Sequence, residues 1–158
     1  MKRGIVTFLK LAVAVIGMGV LALCILWVPT LAGRAVNMYP EFKFLRSPVL
    51  VYIFITAIPF YIALYHTFRL LNYIEDRNAF SDMAVASLKR IKHYAMIEVI
   101  LYILGLIALG FLKALHPGII IMGGVIAFAA LTVSLFAALL QELLRNALEI
   151  KAENDLTV

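Results

Sequence analysis

The chain has 158 residues, a net charge of +5 and 65% hydrophobic residues, with a mean hydropathy of +1.03. A soluble domain carries about 45–50% apolar residues, and a chain this short has no core large enough to hide the surplus, so much of it must face lipid. The positive balance therefore reads as topology and contact with anionic lipid rather than nucleic-acid binding, and a lone cysteine, Cys24, excludes a disulfide framework and a cysteine metal site.

Four apolar stretches, Ile5–Val28, Val49–Leu71, Tyr94–Leu112 and Gly118–Leu140, are each about 20 residues long, enough to cross a ~30 Å hydrocarbon core as helices. The first helix is predicted over about residues 4–28, with Trp27 at headgroup level and Pro29 as its stop. It exceeds a signal-peptide core of about 7–15 residues, so it is expected to be retained. Residues 29–47 form the longest connection, punctuated by Pro29, Gly33 and Pro40, with Met38, Tyr39, Phe42 and Phe44 suited to the membrane surface. The second helix, about 49–71, starts at Pro48 and carries Pro59 in its middle, where a kink is expected and Thr56 stands near the freed carbonyls.

The third helix is predicted over about 81–112. Ser81 is its N-cap, Asp82 favours the positive helix end, and Val85, Leu88 and Ile91 line one face of its entry. His116-Pro117-Gly118 makes a tight turn, with His116 expected to be solvated, into a fourth helix over about 118–149. Residues 1–158 are thus predicted to be one all-α domain, a four-helix transmembrane bundle.

Lys and Arg set its orientation. With an inside N-terminus, Lys2, Arg3, Lys10, Arg69, Arg77, Lys89, Arg90, Lys92, Arg145 and Lys151 lie inside, and Arg34, Lys43, Arg46 and Lys113 lie outside. Ten against four places both termini in the cytoplasm.

Two motifs carry a resemblance. Phe80-Ser81 followed by Leu88-Lys89-Arg90-Ile91 enters a membrane helix, and the chain closes on Glu153-Asn154-Asp155-Leu156-Thr157-Val158. Together they resemble the bacterial domain-of-unknown-function 2975 family of small four-helix membrane proteins. The likeness spans nearly the whole chain, though its specific part is about a dozen residues. Met83 and Ala84 depart from the acidic residues and asparagine that often follow the Phe-Ser pair, and Asn154 replaces a glutamine. The resemblance implies four helices, a bacterial inner (cell) membrane location, and regulated expression beside small helix-turn-helix regulators. It implies no activity.

Two constellations stand out. Gly123, Ala127, Ala130, Ser134 and Ala137 recur at helical spacing and form a small-residue seam on the fourth helix, suited either to packing within the bundle or to a homo-oligomer or membrane-protein partner. Glu98 is an ionisable group inside the apolar part of the third helix. Alternating helices bring it towards the depth of Lys10, His66, Arg69, Gln141 and Arg145, so a polar cluster is expected at the inner end, with Glu98 paired to Lys10 or Arg69. A proton relay through Glu98 and His66 is the sharper alternative. Tyr52, Tyr61 and Tyr65 on the second helix suit interfacial anchors or bundle filler, with a groove for a lipid tail or an aromatic compound as the alternative.

No phosphate loop, paired-carboxylate motif or metal-binding helix occurs in the sequence. The expectation is therefore no enzyme, no cofactor, no metal and no nucleic acid. The leading reading is an accessory or regulatory protein acting through helix–helix association. The alternative is a small transporter or channel subunit for cations or hydrophobic compounds.

Overall fold

A computed structural model describes residues 2–157, with five α-helices and no strand among the described residues. Helix α1 (Lys2–Ala22), a π-helical turn (Leu23–Trp27) and α2 (Val28–Met38) run on as one rod. A 3-10 turn (Pro40–Leu45) leads into α3 (Arg46–Glu75), followed by α4 (Asp82–Phe111) and α5 (Pro117–Leu156). Four rods among the described residues, Arg3–Met38, Pro40–Glu75, Asp82–Phe111 and Pro117–Leu156, are long and apolar enough to cross a membrane. The predicted all-α, four-span architecture is the one that forms.

The first rod departs from expectation at Pro29, which does not end it. A proline inside an α-helix lacks the N–H that bonds four residues back, and its ring crowds that carbonyl. Here the chain widens to a π turn just before the proline, and the Val28 N–H bonds the Leu23 carbonyl five residues back. Pro29 then falls in the first turn of α2, where a missing N–H costs nothing. The rod breaks instead at Tyr39, at φ −131° and ψ 76°, an extended geometry imposed by Pro40. The predicted long connection shrinks to the 3-10 turn.

α3 begins at Arg46 with Pro48 in its first turn, and it continues to Glu75, one turn beyond the predicted end. Pro59 lies inside it and is buried. The Thr56 hydroxyl donates to the Ile53 carbonyl at 2.8 Å rather than to the Ile55 carbonyl that the proline deprives of its donor. The turn into α4 is closed by Asn78 N–H to the Tyr73 carbonyl at 2.8 Å, with Arg77 in the left-handed region at φ 61°. Ser81 caps α4 as predicted: its Oγ accepts from the Ala84 N–H at 3.3 Å. At α5 the imidazole of His116 is itself the cap, its Nδ1 accepting from the Gly118 N–H at 3.1 Å. α5 runs to Leu156, past the predicted 149.

Each rod packs mainly on its chain neighbour, and the α4–α5 and α3–α4 interfaces are the most extensive. The centre is α4, where Ala84, Leu88, Ile91, Ala95 and Val99 are buried at steps of three and four. Most large apolar side chains elsewhere are exposed on the rods' outer faces, including Leu26, Ile55, Ile103, Phe111, Phe128 and Leu135. In a bilayer this is the lipid surface, because lipid rather than a second protein layer can cover it.

Candidate functional site

Three glycine approaches set how closely the rods meet. A Cβ on Gly17 of α1 would lie 2.7 Å from Leu64 Cδ2 of α3, one on Gly105 of α4 would lie 2.8 Å from the Tyr52 ring of α3, and one on Gly123 of α5 would lie 3.1 Å from Leu106 of α4. Two tyrosines exploit the resulting proximity of backbones. Tyr61 donates to the Gly17 carbonyl at 2.6 Å and Tyr52 to the Leu101 carbonyl at 2.5 Å. These tyrosines read in the sequence as anchors or filler; their role as interhelical donors depends on which carbonyl each ring reaches.

The small-residue seam lies inside the chain. Gly123, Ser134 and Ala137 are buried, and Ala127 and Ala130 are half-buried on the same face. Ser134 is 1% exposed and donates to the Lys92 carbonyl of α4 at 3.0 Å. The buried hydroxyl is thereby satisfied by a carbonyl within α4, which fixes the register of α5 on α4.

The predicted inner polar cluster separates into several sites. Lys10 forms an ion pair with Glu75, not with Glu98, and so joins α1 to α3. The apolar run predicts a helix end at Leu71, but α3 continues one turn further and brings Glu75 onto the helix. Arg69 does not pair with Glu98 either: it donates to the Tyr73 hydroxyl at 2.5 Å, with its guanidinium 6.0 Å from the Tyr65 ring centroid and 5.6 Å from that of Tyr73. Arg145 pairs with Glu149 along the exposed surface of α5 at 3.2 Å. Such an exposed i,i+4 pair contributes about 0.3–0.5 kcal/mol.

Among the described residues, three polar side chains carry a buried atom without a partner. They are Glu98 at Oε2, His66 at Nδ1 and Gln141 at Oε1. Glu98 is 7% exposed. His66 is 4% exposed, stacks on Tyr94 with centroids 6.4 Å apart, and meets the Tyr65 ring edge-on at 5.4 Å. Gln141 lies at the head of a polar groove shared by the start of α4 and the end of α5, with Asp82, Lys89, Arg145 and Asp155 along it. Among the described residues, no group of three or more His, Cys, Asp or Glu side chains is arranged to hold a metal.

Comparison with known proteins agrees with this architecture. No solved structure matches the chain. The protein described as "Uncharacterized membrane protein YoaS" from Bacillus subtilis (strain 168) is 44% identical over 160 residues, covering 100% of both chains. Together with the four apolar rods, this relative makes the chain a multi-pass membrane protein. The model of the family described as "Protein of unknown function (DUF2975)" matches residues 30–158, more than half of the chain and three of its four rods, and the chain belongs to that family.

Proposed function

We propose that the protein is a non-enzymatic accessory or regulatory component of the bacterial inner (cell) membrane, with both termini in the cytoplasm, that works by presenting a helical arm to a protein partner. The observation that carries this reading is the overhang of α5. Its 40 residues span roughly 60 Å at 1.5 Å per residue, against a hydrocarbon core of ~30 Å. The part beyond Leu140 is amphipathic: Leu144, Ala147 and Leu148 are half-buried towards α4, while Glu142, Asn146, Glu149, Lys151 and Glu153 are exposed. With the first turns of α4 it makes a two-helix projection whose groove carries both signs of charge. A third amphipathic helix fits such a groove, by apolar contact along its floor and opposite charges at its rim.

Orientation is tested with cysteines at Asn78, Asn154 and Met38 in a Cys24→Ala background. In intact cells an impermeant thiol reagent should label the Met38 position and spare the other two. Labelling at Asn154 without lysis would overturn the orientation. The arm is tested with a photo-crosslinker at Lys151. A discrete adduct in cells, lost when Arg145 and Glu149 are exchanged for residues of opposite charge, supports docking there.

The buried, unpaired Glu98 favours a second reading, a small transporter subunit for cations. Proton- or cation-coupled flux in liposomes containing the purified protein, with no adduct in cells, would replace the accessory reading by this one.

A further inference from the structure

We propose that the membrane face at the α3–α4 turn holds the phosphate of an anionic phospholipid, gripped by Arg69 and Arg90 beside the buried ring of His66. The Arg69 guanidinium is fixed between the Tyr65 and Tyr73 rings and bonded to the Tyr73 hydroxyl. These contacts orient it without neutralising it, since a phenol and two ring faces carry no formal charge. Among the described residues the ion pairs are Lys10–Glu75 and Arg145–Glu149, so neither Arg69 nor Arg90 has a carboxylate.

Helix geometry brings the two arginines to one level. α3 and α4 are antiparallel, as the contacts of Tyr52 with Leu101 and of His66 with Tyr94 require. Arg69 follows His66 by three residues and Arg90 precedes Tyr94 by four. Both therefore lie about 5 Å along the axis from the His66–Tyr94 stack, on its headgroup side. His66, 4% exposed, keeps Nδ1 without a partner. Two guanidinium groups at one level, neither with a carboxylate, leave charge that an anion between them would satisfy.

The chemistry selects a phosphate. A guanidinium fork matches two phosphate oxygens, and two forks at one level suit the non-bridging oxygens of a phosphodiester. The depth selects a lipid over a free ion. Arg69 and Arg90 stand where the apolar runs of the second and third spans give way to polar sequence, which is the headgroup level. The exposed side chains of Tyr65 and Ile97 offer an apolar path for the acyl chains.

The test is lipid retention by the full chain in neutral detergent, read by native mass spectrometry with phosphatidylglycerol, phosphatidylcholine and inorganic phosphate as probes. Phosphatidylglycerol should stay bound where phosphatidylcholine is lost, and millimolar phosphate should not displace it. Arg69→Gln and Arg90→Gln should each weaken retention about tenfold, the loss of one charge-assisted contact, while Lys151→Gln should leave it unchanged. Equal retention of both lipids, displacement by phosphate alone, or full retention by the Arg69→Gln/Arg90→Gln double variant would overturn the proposal. If that double variant does not fold, the wild-type comparison of the three probes decides by itself.

Discussion

Helix α1 touches the rest of the molecule at a few directional points, whereas α4 and α5 meet along a continuous seam of small side chains. In the apolar window of the first rod 6% of residues are buried, against 17% in α4. What holds α1 is the Tyr61 bond to the Gly17 carbonyl, the Lys10–Glu75 pair and the close approach of Leu64 to Gly17. What holds α5 is Gly123 under Leu106, the buried Ser134 and Ala137, and the half-buried alanines between them. Within lipid, burying apolar surface gives no net gain over leaving it exposed to acyl chains, so close packing and interhelical hydrogen bonds must do the work. The first region depends mainly on bonds and the second mainly on packing. The family match begins at residue 30, after α1 and the π turn.

Overpacking should expose this difference most strongly. Gly123→Leu forces bulk against Leu106 and should lower stability by about 3 kcal/mol, read as a fall in the thermal unfolding midpoint in detergent. Gly124→Leu is the control, because a Cβ there meets nothing within 4 Å. Equal losses at the two glycines would remove the seam's special status. Next in size is Glu98→Gln. The sequence reading, which gave Glu98 a basic partner, required this change to destabilise. With Lys10 bound to Glu75 and Oε2 unpartnered, no basic group among the described residues holds the carboxyl ionised; buried this way it neutralises, so the isosteric amide should change stability by at most about 1 kcal/mol. A clear loss would mean that a cation or a basic group holds the carboxylate. The smallest effect belongs to α1. Tyr61→Phe deletes its bond to Gly17 and should cost about 0.6 kcal/mol, the average for an interhelical hydrogen bond in a membrane. The change should loosen α1 without moving the α4–α5 contacts.

What the sequence made legible follows from which physics is local. Span length and apolarity are read directly, and so is the Ser81 cap, because each depends on a few adjacent residues. The seam was legible as a spacing, but its inward direction depends on where α4 lies. Pro29 misled because a π turn can absorb a proline, and the preceding residues Leu23–Trp27 carry no mark of one. Lys10–Glu75 was missed because α3 ends one turn late, and one turn moves an acid from a loop onto a helix face. His66, Glu98 and Gln141 stand out in the sequence as polar residues on apolar helices, and each carries a buried atom without a partner. Depth alone does not tell which of them share a site, since helix rotation separates residues at one level.

The central claim is that the α4–α5 pair is the rigid part of the bundle and α1 its loosely attached member. Paired spin labels in lipid nanodiscs, in a Cys24→Ala background, test it most directly. One pair at Ile107 and Ile121 spans α4–α5, and the other at Leu11 and Ile74 spans α1–α3. Leu11, Ile74, Ile107 and Ile121 are all exposed, so labels there disturb little packing. The account predicts a narrow distance distribution across α4–α5 and a distinctly broader one across α1–α3. Equal widths, or a broader distribution across α4–α5, would contradict it.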